Sequence, residues 1–402
     1  MNAVISKDRL AWVLKGLAPA VKKRAVVPAM LNVELSVNKE LDILTAFCVS
    51  HEGRMEIQTP VLGNESGVAV VKFDTLEKFV NACNGSDVTL ATDEDDSLTV
   101  VCGRSKIRIN GFPEDMSPRI IVEGTGESSS DNILSFPDNV FFIKSREFLT
   151  AFKPVGYTTA KDNGEAPAYL AARYVSVGTD GYVTCAATDA RRLLETVRRV
   201  FNEEENAPAV KNECSALIPA GASETMQAVL AWTSPETLVS FGIGDKTLSM
   251  SAKNVDVAGS QWSCSFSLLS AQYPNYRQLL PMAGWDIKAT LPREAFIDSL
   301  RRVMLMAMDD DPPTVAMEIK GEGECFLSAQ GKTGDARDEF ECTLEGGPMI
   351  QIKCNGRFLL DALLAGDFGG GDVLMYFKSS LDSIHILSAA EDFHYVLMPM
   401  RD

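Results

Sequence analysis

One pattern recurs three times along the 402-residue chain, and it limits the fold more than any other feature. A helical stretch is followed each time by strand, turn and strand. The helical stretches are "DTLEKFVNAC", with Asp74 and Glu77 in capping-box spacing, "SETMQAVLAW", opening on Ser223, and "GRFLLDALLAG", closing near Gly366. Their sequels are "DVTLATDEDDSLTVVCGRSKIRI", "TLVSFGIGDKTLSMSAKN" and "DVLMYFKSSLDSIHILSAAEDFHYVLMPM". An amphipathic helix precedes each unit. Leu10, Val13, Leu14, Leu17 and Val21 define the first, which Pro19 ends or bends. Arg146 to Ala160 is a weaker copy cut by Pro154, and Phe296, Leu300, Val303, Met304 and Ala307 mark the third, with Pro292 at its start.

The second helices begin near residues 75, 223 and 356, a repeat of roughly 130 to 150 residues, which is the size of a domain. The reading is therefore α+β, with three tandem related domains at residues 1–130, 131–281 and 282–402. The connectors agree: residues 123–132 are rich in Gly, Ser and acids, and "LLPMAGWD" carries Pro and Gly between strand-like segments. "FNEEENAPAVKNE" interrupts the middle repeat as a solvated loop.

Nine scattered cysteines form no C-x-x-C and read as reduced thiols packed in cores. No apolar h-region opens the chain, and no run approaches the about eighteen apolar residues that a membrane helix needs, so a cytoplasmic protein without a membrane partner is expected.

Chemistry-bearing motifs are few. His51, His385 and His394 are isolated, with His385 inside an alternating strand. "DFGGG" lacks every companion of the kinase motif it imitates and reads as a helix-ending turn. "TDEDDS" reads as a hairpin turn. Asp309 to Asp311 could supply oxygen ligands to a hard cation, though an acidic loop after a helix is the plainer reading. No nucleophile or phosphate loop can be named, and no cofactor is implied.

A net charge of −17 argues against nucleic acid if charge is evenly spread, because phosphate binding rests on Lys and Arg. It is not evenly spread. The first amphipathic helix and its flank carry Lys7, Arg9, Lys15, Lys22, Lys23 and Arg24 against Asp8, about +5. The middle copy has Lys144, Arg146, Lys153 and Lys161 against Glu147, about +3, and the third has Arg293, Arg301 and Arg302 against Glu294 and Asp298, about +1. Either these residues merely solvate helix faces, or equivalent helices present one positive surface to a polyanion.

Five strings carry a resemblance in order along nearly the whole chain: "GRSKIRINGFP", "AATDARRLL", "QYPNYRQLLP", "FLLDALLAG" and the terminal "YVLMPMR". On these the chain resembles the bacterial DNA polymerase III beta subunit family, the sliding clamps. The resemblance implies two chains joined head to tail in a closed ring, helices lining the hole, and no reaction of its own. It implies double-stranded DNA as an encircled partner not read for sequence, a polymerase catalytic subunit tethered to it, and a clamp-loader complex that opens the ring. Topological retention would need only weak phosphate contacts, from Lys15, Lys22, Lys23, Arg24, Lys153, Lys161, Arg301 and Arg302.

The resemblance further implies a pocket for a short apolar partner peptide. Carried over by motif, it comprises Leu170, Thr188, Ala190, Arg191, Arg192, Leu193, Pro274, Gln278, Leu279, Ser383, Val396, Leu397, Met398, Pro399, Met400 and Arg401. The residues alone, without the resemblance, favour core packing of this tail. The implied ring joint sets Ile107 and Ile109 of one chain against Leu305 and Met306 of the other. This chain has Ala190-Arg191 where the family commonly shows Gly-His, and it ends on Asp402 where an apolar residue is usual. The competing readings are a metal-dependent nucleic-acid enzyme using Asp309 to Asp311 and a monomeric peptide-binding scaffold.

Overall fold

The computed structural model describes residues 1–21, 27–93, 95–113, 116–117, 139–201, 210–253, 255, 257–280, 284–308, 310–321, 323–366, 368, 371–388 and 392–400. Outside these lie the connector 123–132, residues 281–283 of the second connector, most of the acidic loop of the middle repeat, Asp309, most of "DFGGG", Lys22, Lys23, Arg24, Arg401 and Asp402.

Helices stand on the helical stretches read from the sequence: α1 (Lys7–Leu17), α2 (Phe73–Ala82), α3 (Ser145–Val155), α4 (Ala220–Trp232), α5 (Arg293–Ala307) and α6 (Gly356–Ala365). Pro19 stops α1 as expected, turning the chain into the 3-10 segment Ala18–Ala20, so Val21 lies beyond the helix. Pro154 sits in the last turn of α3. Pro292 precedes α5.

Two expected starts are corrected. The capping box of Asp74 and Glu77 does not form: α2 begins one residue earlier, at Phe73, so Asp74 is already helical and pairs with Lys78 at 2.7 Å. α4 begins at Ala220, and Ser223 is a fully buried interior residue bonded to the Ile218 carbonyl. A proline at position 219 fixes the entry to α4 without a side-chain cap. At α6, by contrast, Asn355 caps the amides of Arg357 and Phe358.

By internal packing the chain divides into two units, and these do not follow the repeats. The first holds residues 1–149, 177–181 and 199–270. Its larger sheet runs Val140–Lys144, Leu238–Ile243, Thr247–Lys253, Gln261–Ser267, Gly53–Pro60, Ile43–Val49, Asn32–Asn38, Gly67–Lys72. The seam is the antiparallel pairing of Gln261–Ser267 with Gly53–Pro60, which joins backbone of the middle repeat to backbone of the first. A smaller sheet runs Leu62–Glu65, Asn2–Ser6, Asp87–Thr92, Leu98–Cys102, Ser105–Ile109. α1 buries Leu10, Val13, Leu14 and Leu17, and Trp12 packs on Trp232 of α4 with ring centres 4.6 Å apart. Gly16 makes this approach possible, since a Cβ there would stand 2.5 Å from the Trp232 ring.

The second unit holds residues 150–176, 182–198 and 271–402. In its main sheet Arg173–Val177, Tyr182–Thr188, Arg192–Arg199, Phe393–Leu397, Ile384–Leu387, Asp372–Phe377, Ile287–Pro292 and Thr343–Glu345 follow in order. Here too a strand pair is the seam: Arg192–Arg199 of the middle repeat runs antiparallel to Phe393–Leu397 of the last. A further sheet runs Gly334–Glu341, Glu324–Gly331, Thr314–Lys320, Met349–Asn355. α5 buries Phe296, Leu300, Val303, Met304 and Ala307, the stripe read from the sequence. All nine cysteines are free thiols, eight of them buried.

Candidate functional site

The terminal string divides at Leu397. Tyr395, Val396 and Leu397 are buried in the strand Phe393–Leu397, flanked by Arg192–Arg199 on one side and Ile384–Leu387 on the other. Met398 leaves the sheet and is 47 % exposed, while Pro399 and Met400 are half-buried. The core-strand reading of the tail holds for its first half, and its second half is an accessible apolar segment.

Two backbone hydrogen bonds fix that second half. The Met398 amide donates to the Arg191 carbonyl at 3.0 Å, and the Met400 amide donates to the Lys353 carbonyl at 2.8 Å. The Met400 sulfur accepts from the Thr314 hydroxyl at 3.5 Å. The methionine backbones are therefore held at set positions, and an unbranched thioether is a side chain that adapts to different apolar surfaces.

The turn Asp189–Arg192 forms the neighbouring wall. Asp189 accepts from the amides of Arg191 and Arg192, both at 3.0 Å, and the Thr188 hydroxyl donates to the Arg192 carbonyl at 2.6 Å. The turn forces Ala190 to φ +68°, a conformation that glycine adopts without strain. The two consecutive arginines have opposite fates. Arg192 turns inward, ion-paired to Asp189 at 2.9 Å and Asp361 at 2.6 Å, and lies over the Phe358 ring at 3.8 Å. Arg191 is exposed.

Beneath them lies an apolar floor of Ala186, Leu193, Tyr276 and Val396, with Tyr174, Tyr273 and Leu280 packed against it. Tyr174 stacks on Tyr273 at 5.0 Å, and Tyr276 meets both rings edge-on at 6.0 Å. Tyr276 donates to Glu195 at 2.7 Å. Burial raises the Glu195 carboxyl above its ordinary range, and burial together with that carboxylate raises the Tyr276 phenol. This polar pair anchors the floor.

Of the expected pocket residues, Thr188, Arg192 and Ser383 are half-buried, as is Leu170, whose amide and carbonyl are bonded to Pro167 and Ala160. Ala190, Pro274, Gln278 and Leu279 are exposed, Leu279 at 51 %. Leu193, Val396 and Leu397 are buried. Arg401 lies outside the described residues. The sequence reading missed Tyr174, Tyr273, Tyr276 and Phe358. Both later tyrosines stand in the quoted string "QYPNYRQLLP", so the signal was present but was read only for Pro274, Gln278 and Leu279.

Buried His385 on the strand Ile384–Leu387 and half-buried His394 on the last strand form a pair. His385 Nδ1 and His394 Nε2 are 2.8 Å apart, the Ser383 hydroxyl is 3.3 Å from His385 Nε2, and Trp285 packs 4.1 Å from the His385 ring. Burial, and for His385 also the neighbouring imidazole, lowers both to about 4. They are neutral structural residues near pH 7.

Among the expected phosphate contacts, Lys15 on α1, Lys153 on α3, Lys161 and Arg301 are exposed. Arg302 is also exposed but already ion-paired to Asp338. Lys22, Lys23 and Arg24 lie outside the described residues. At the expected joint, Leu305 is 61 % exposed, Met306 and Ile107 are half-buried, and Ile109 is buried within its own unit. Asp310 and Asp311 belong to no cluster of three or more potential metal-ligating side chains among the described residues. Among the same residues no helix is long and apolar enough to cross a membrane. "TDEDDS" is the expected hairpin turn, with Asp93 accepting from the Asp95 and Ser97 amides.

Comparison with known proteins gives a consistent result. Residues 1–120 match the family described as DNA polymerase III beta subunit, N-terminal domain, and residues 277–401 match its C-terminal domain. The chain is 20 % identical over 375 residues to the beta sliding clamp of Staphylococcus aureus, covering 91 % of this chain and 90 % of that one. It is 20 % identical over 418 residues to the beta sliding clamp of Halalkalibacterium halodurans, covering 99 % and 96 %. Among solved structures, the DNA polymerase III subunit beta of Pseudomonas aeruginosa superposes with a TM-score of 0.84 at 18 % identity over the whole of both chains. That of Thermotoga maritima gives 0.81 at 18 %, covering 100 % of this chain and 99 % of that one.

Proposed function

The chain belongs to the DNA polymerase III beta subunit family, the sliding clamps, and from that premise we propose how it works. Two copies join head to tail into a closed ring of six domains, each chain contributing three at residues 1–130, 131–281 and 282–402. The ring encircles duplex DNA without reading its sequence, tethers the polymerase, and is opened and closed by a clamp loader. It performs no reaction of its own and works in the cytoplasm.

One observation carries the ring. Among the described residues each unit ends a sheet on a strand with one open edge, and the two strands differ in charge. Ser105–Ile109 is the last strand of its sheet and carries Lys106 and Arg108. Gly334–Glu341 is the last strand of its own and carries Asp335, Asp338, Glu339 and Glu341 against Arg337. Open edges invite pairing with another chain, and opposite charge selects each other's edge over its own kind. α5 packs beside the acidic strand and supplies Leu305 as an apolar contact for Ile107. A joint between unlike surfaces, repeated twice, closes a two-chain ring.

The inner surface on this reading is basic, with Lys15, Lys153, Lys161 and Arg301 making weak phosphate contacts and Lys22, Lys23 and Arg24 adding to them. The Met398–Met400 segment, Leu279 and the floor around Val396 receive the apolar side chains of partner peptides.

Solution mass tests the joint. The chain is expected at twice 43.7 kDa. Ile107→Glu or Leu305→Glu is expected to shift it to monomer, because each buries an unpaired charge at a cost of about several kcal/mol. A wild-type monomer at micromolar concentration would overturn the ring.

A further inference from the structure

Resting on the reading that the Met398 segment receives a partner peptide, we propose that the preferred peptide is acidic as well as apolar. A carboxylate of the peptide pairs with Arg191 while the adjacent apolar side chain covers Met398.

The argument starts from the unequal commitments of neighbouring charges. Arg192 is neutralised by Asp189 and Asp361 and covered by Phe358. Asp189 is further occupied by the amides of its own turn, and Glu195 accepts from Tyr276. The carboxylates of this wall are thus engaged. Arg191 is held through its backbone, its amide on Asp189 and its carbonyl on the Met398 amide, and its guanidinium has no carboxylate partner among the described residues. It sits on an exposed turn whose carbonyl holds the Met398 amide at 3.0 Å, so an exposed cation and an exposed methionine are backbone neighbours.

This arrangement is local and runs against the molecule as a whole. With a net charge of −17, the chain repels acidic segments generally. A peptide rich in carboxylates therefore gains at Arg191 a favourable contact beside an exposed apolar segment, a combination that favours this site over the acidic surface at large. A basic peptide would meet the reverse. Arg also presents a planar fork that matches a carboxylate with two parallel hydrogen bonds.

Two labelled peptides with one apolar Gln-Leu core, flanked by Glu in one and by Gln in the other, separate the possibilities in a fluorescence anisotropy titration. The Glu peptide is expected to bind the intact chain about three- to fivefold more tightly at low ionic strength, the scale of an exposed ion pair. That advantage should shrink as salt is raised, disappear in Arg191→Ala and reverse in Arg191→Glu. Equal binding of the two peptides, or an advantage that Arg191→Glu leaves intact, overturns the charge preference while leaving the pocket standing. Binding of neither peptide, or binding that Met398→Glu leaves unchanged, overturns the pocket and this inference with it. Melting temperatures of the variants, expected unchanged at these exposed positions, exclude misfolding.

Discussion

The Arg192 guanidinium lies 3.8 Å over the Phe358 ring and is gripped from either side by Asp189 and Asp361. Through this contact the strand Arg192–Arg199 is pinned to α6, across the seam that joins two sequence repeats. The phenol of Tyr395 closes the same corner by donating to the Phe358 carbonyl at 2.9 Å. Arg192 therefore ties the turn Asp189–Arg192 to α6. Arg192→Lys keeps the charge but loses the fork and the stacking, and a loss of about 2 kcal/mol is expected; Arg192→Ala, which strands two partly buried carboxylates, should cost about 3 kcal/mol or more. Chemical denaturation midpoints check both. A change within error for Arg192→Ala would contradict the pinning role.

The histidine pair makes stability depend on pH with a definite sign. In the folded chain His385 and His394 are both lowered to about 4 from an ordinary 6.5. Well above pH 6.5 neither folded nor unfolded chain protonates them, and their contribution is constant. Between pH 6.5 and 4 the unfolded chain binds protons that the folded chain refuses, so stability falls as pH falls, at up to about 1.4 kcal/mol per pH unit for each histidine. Urea midpoints measured from pH 8 to 5 should drop below 6.5, and replacing both residues by Gln should flatten that part of the drop. Wild-type and double-variant profiles of the same shape would contradict it.

The sequence made the helices legible because apolar periodicity survives even where the residues themselves diverge. Leu10, Val13, Leu14 and Leu17, and Phe296 through Ala307, are buried on the stripes their spacing marks out. The seams were not legible. Pairing of Gln261 with Gln58 and of Leu193 with Val396 joins strands some two hundred residues apart, and an alternating strand does not name its neighbour. Helix starts failed where a plausible cap lay inside the helix, at Asp74 and Ser223, because a local cap motif competes with how the preceding strand delivers the chain. Pocket positions carried over by motif included the exposed turn and tail, but the aromatic floor of Tyr174, Tyr273 and Tyr276 required the fold, since it assembles from two distant segments.

Deletion of Met398 to Asp402 separates the two halves of the tail. The deletion leaves the strand Phe393–Leu397 whole and removes, among the described contacts, the backbone hydrogen bonds to Arg191 and Lys353 and the Thr314 hydroxyl contact to the Met400 sulfur. The folded chain and its dimer should persist with a small drop in melting temperature. Affinity for a Gln-Leu-rich peptide should fall at least about a hundredfold, since each buried methionine contributes about 1.5 to 3 kcal/mol and each 1.4 kcal/mol is tenfold. Unfolding of the product, or undiminished binding, would contradict the pocket.

Retention on DNA tests the central claim most directly. Labelled chain is loaded onto nicked circular duplex by its clamp loader, washed at high salt, and then challenged by cutting the circle once. Because encirclement does not depend on net attraction to phosphate, the account predicts that the chain stays on the circle through the wash and leaves when the circle is linearised. Loss in the high-salt wash, or retention on the cut linear product at the same salt, would contradict it.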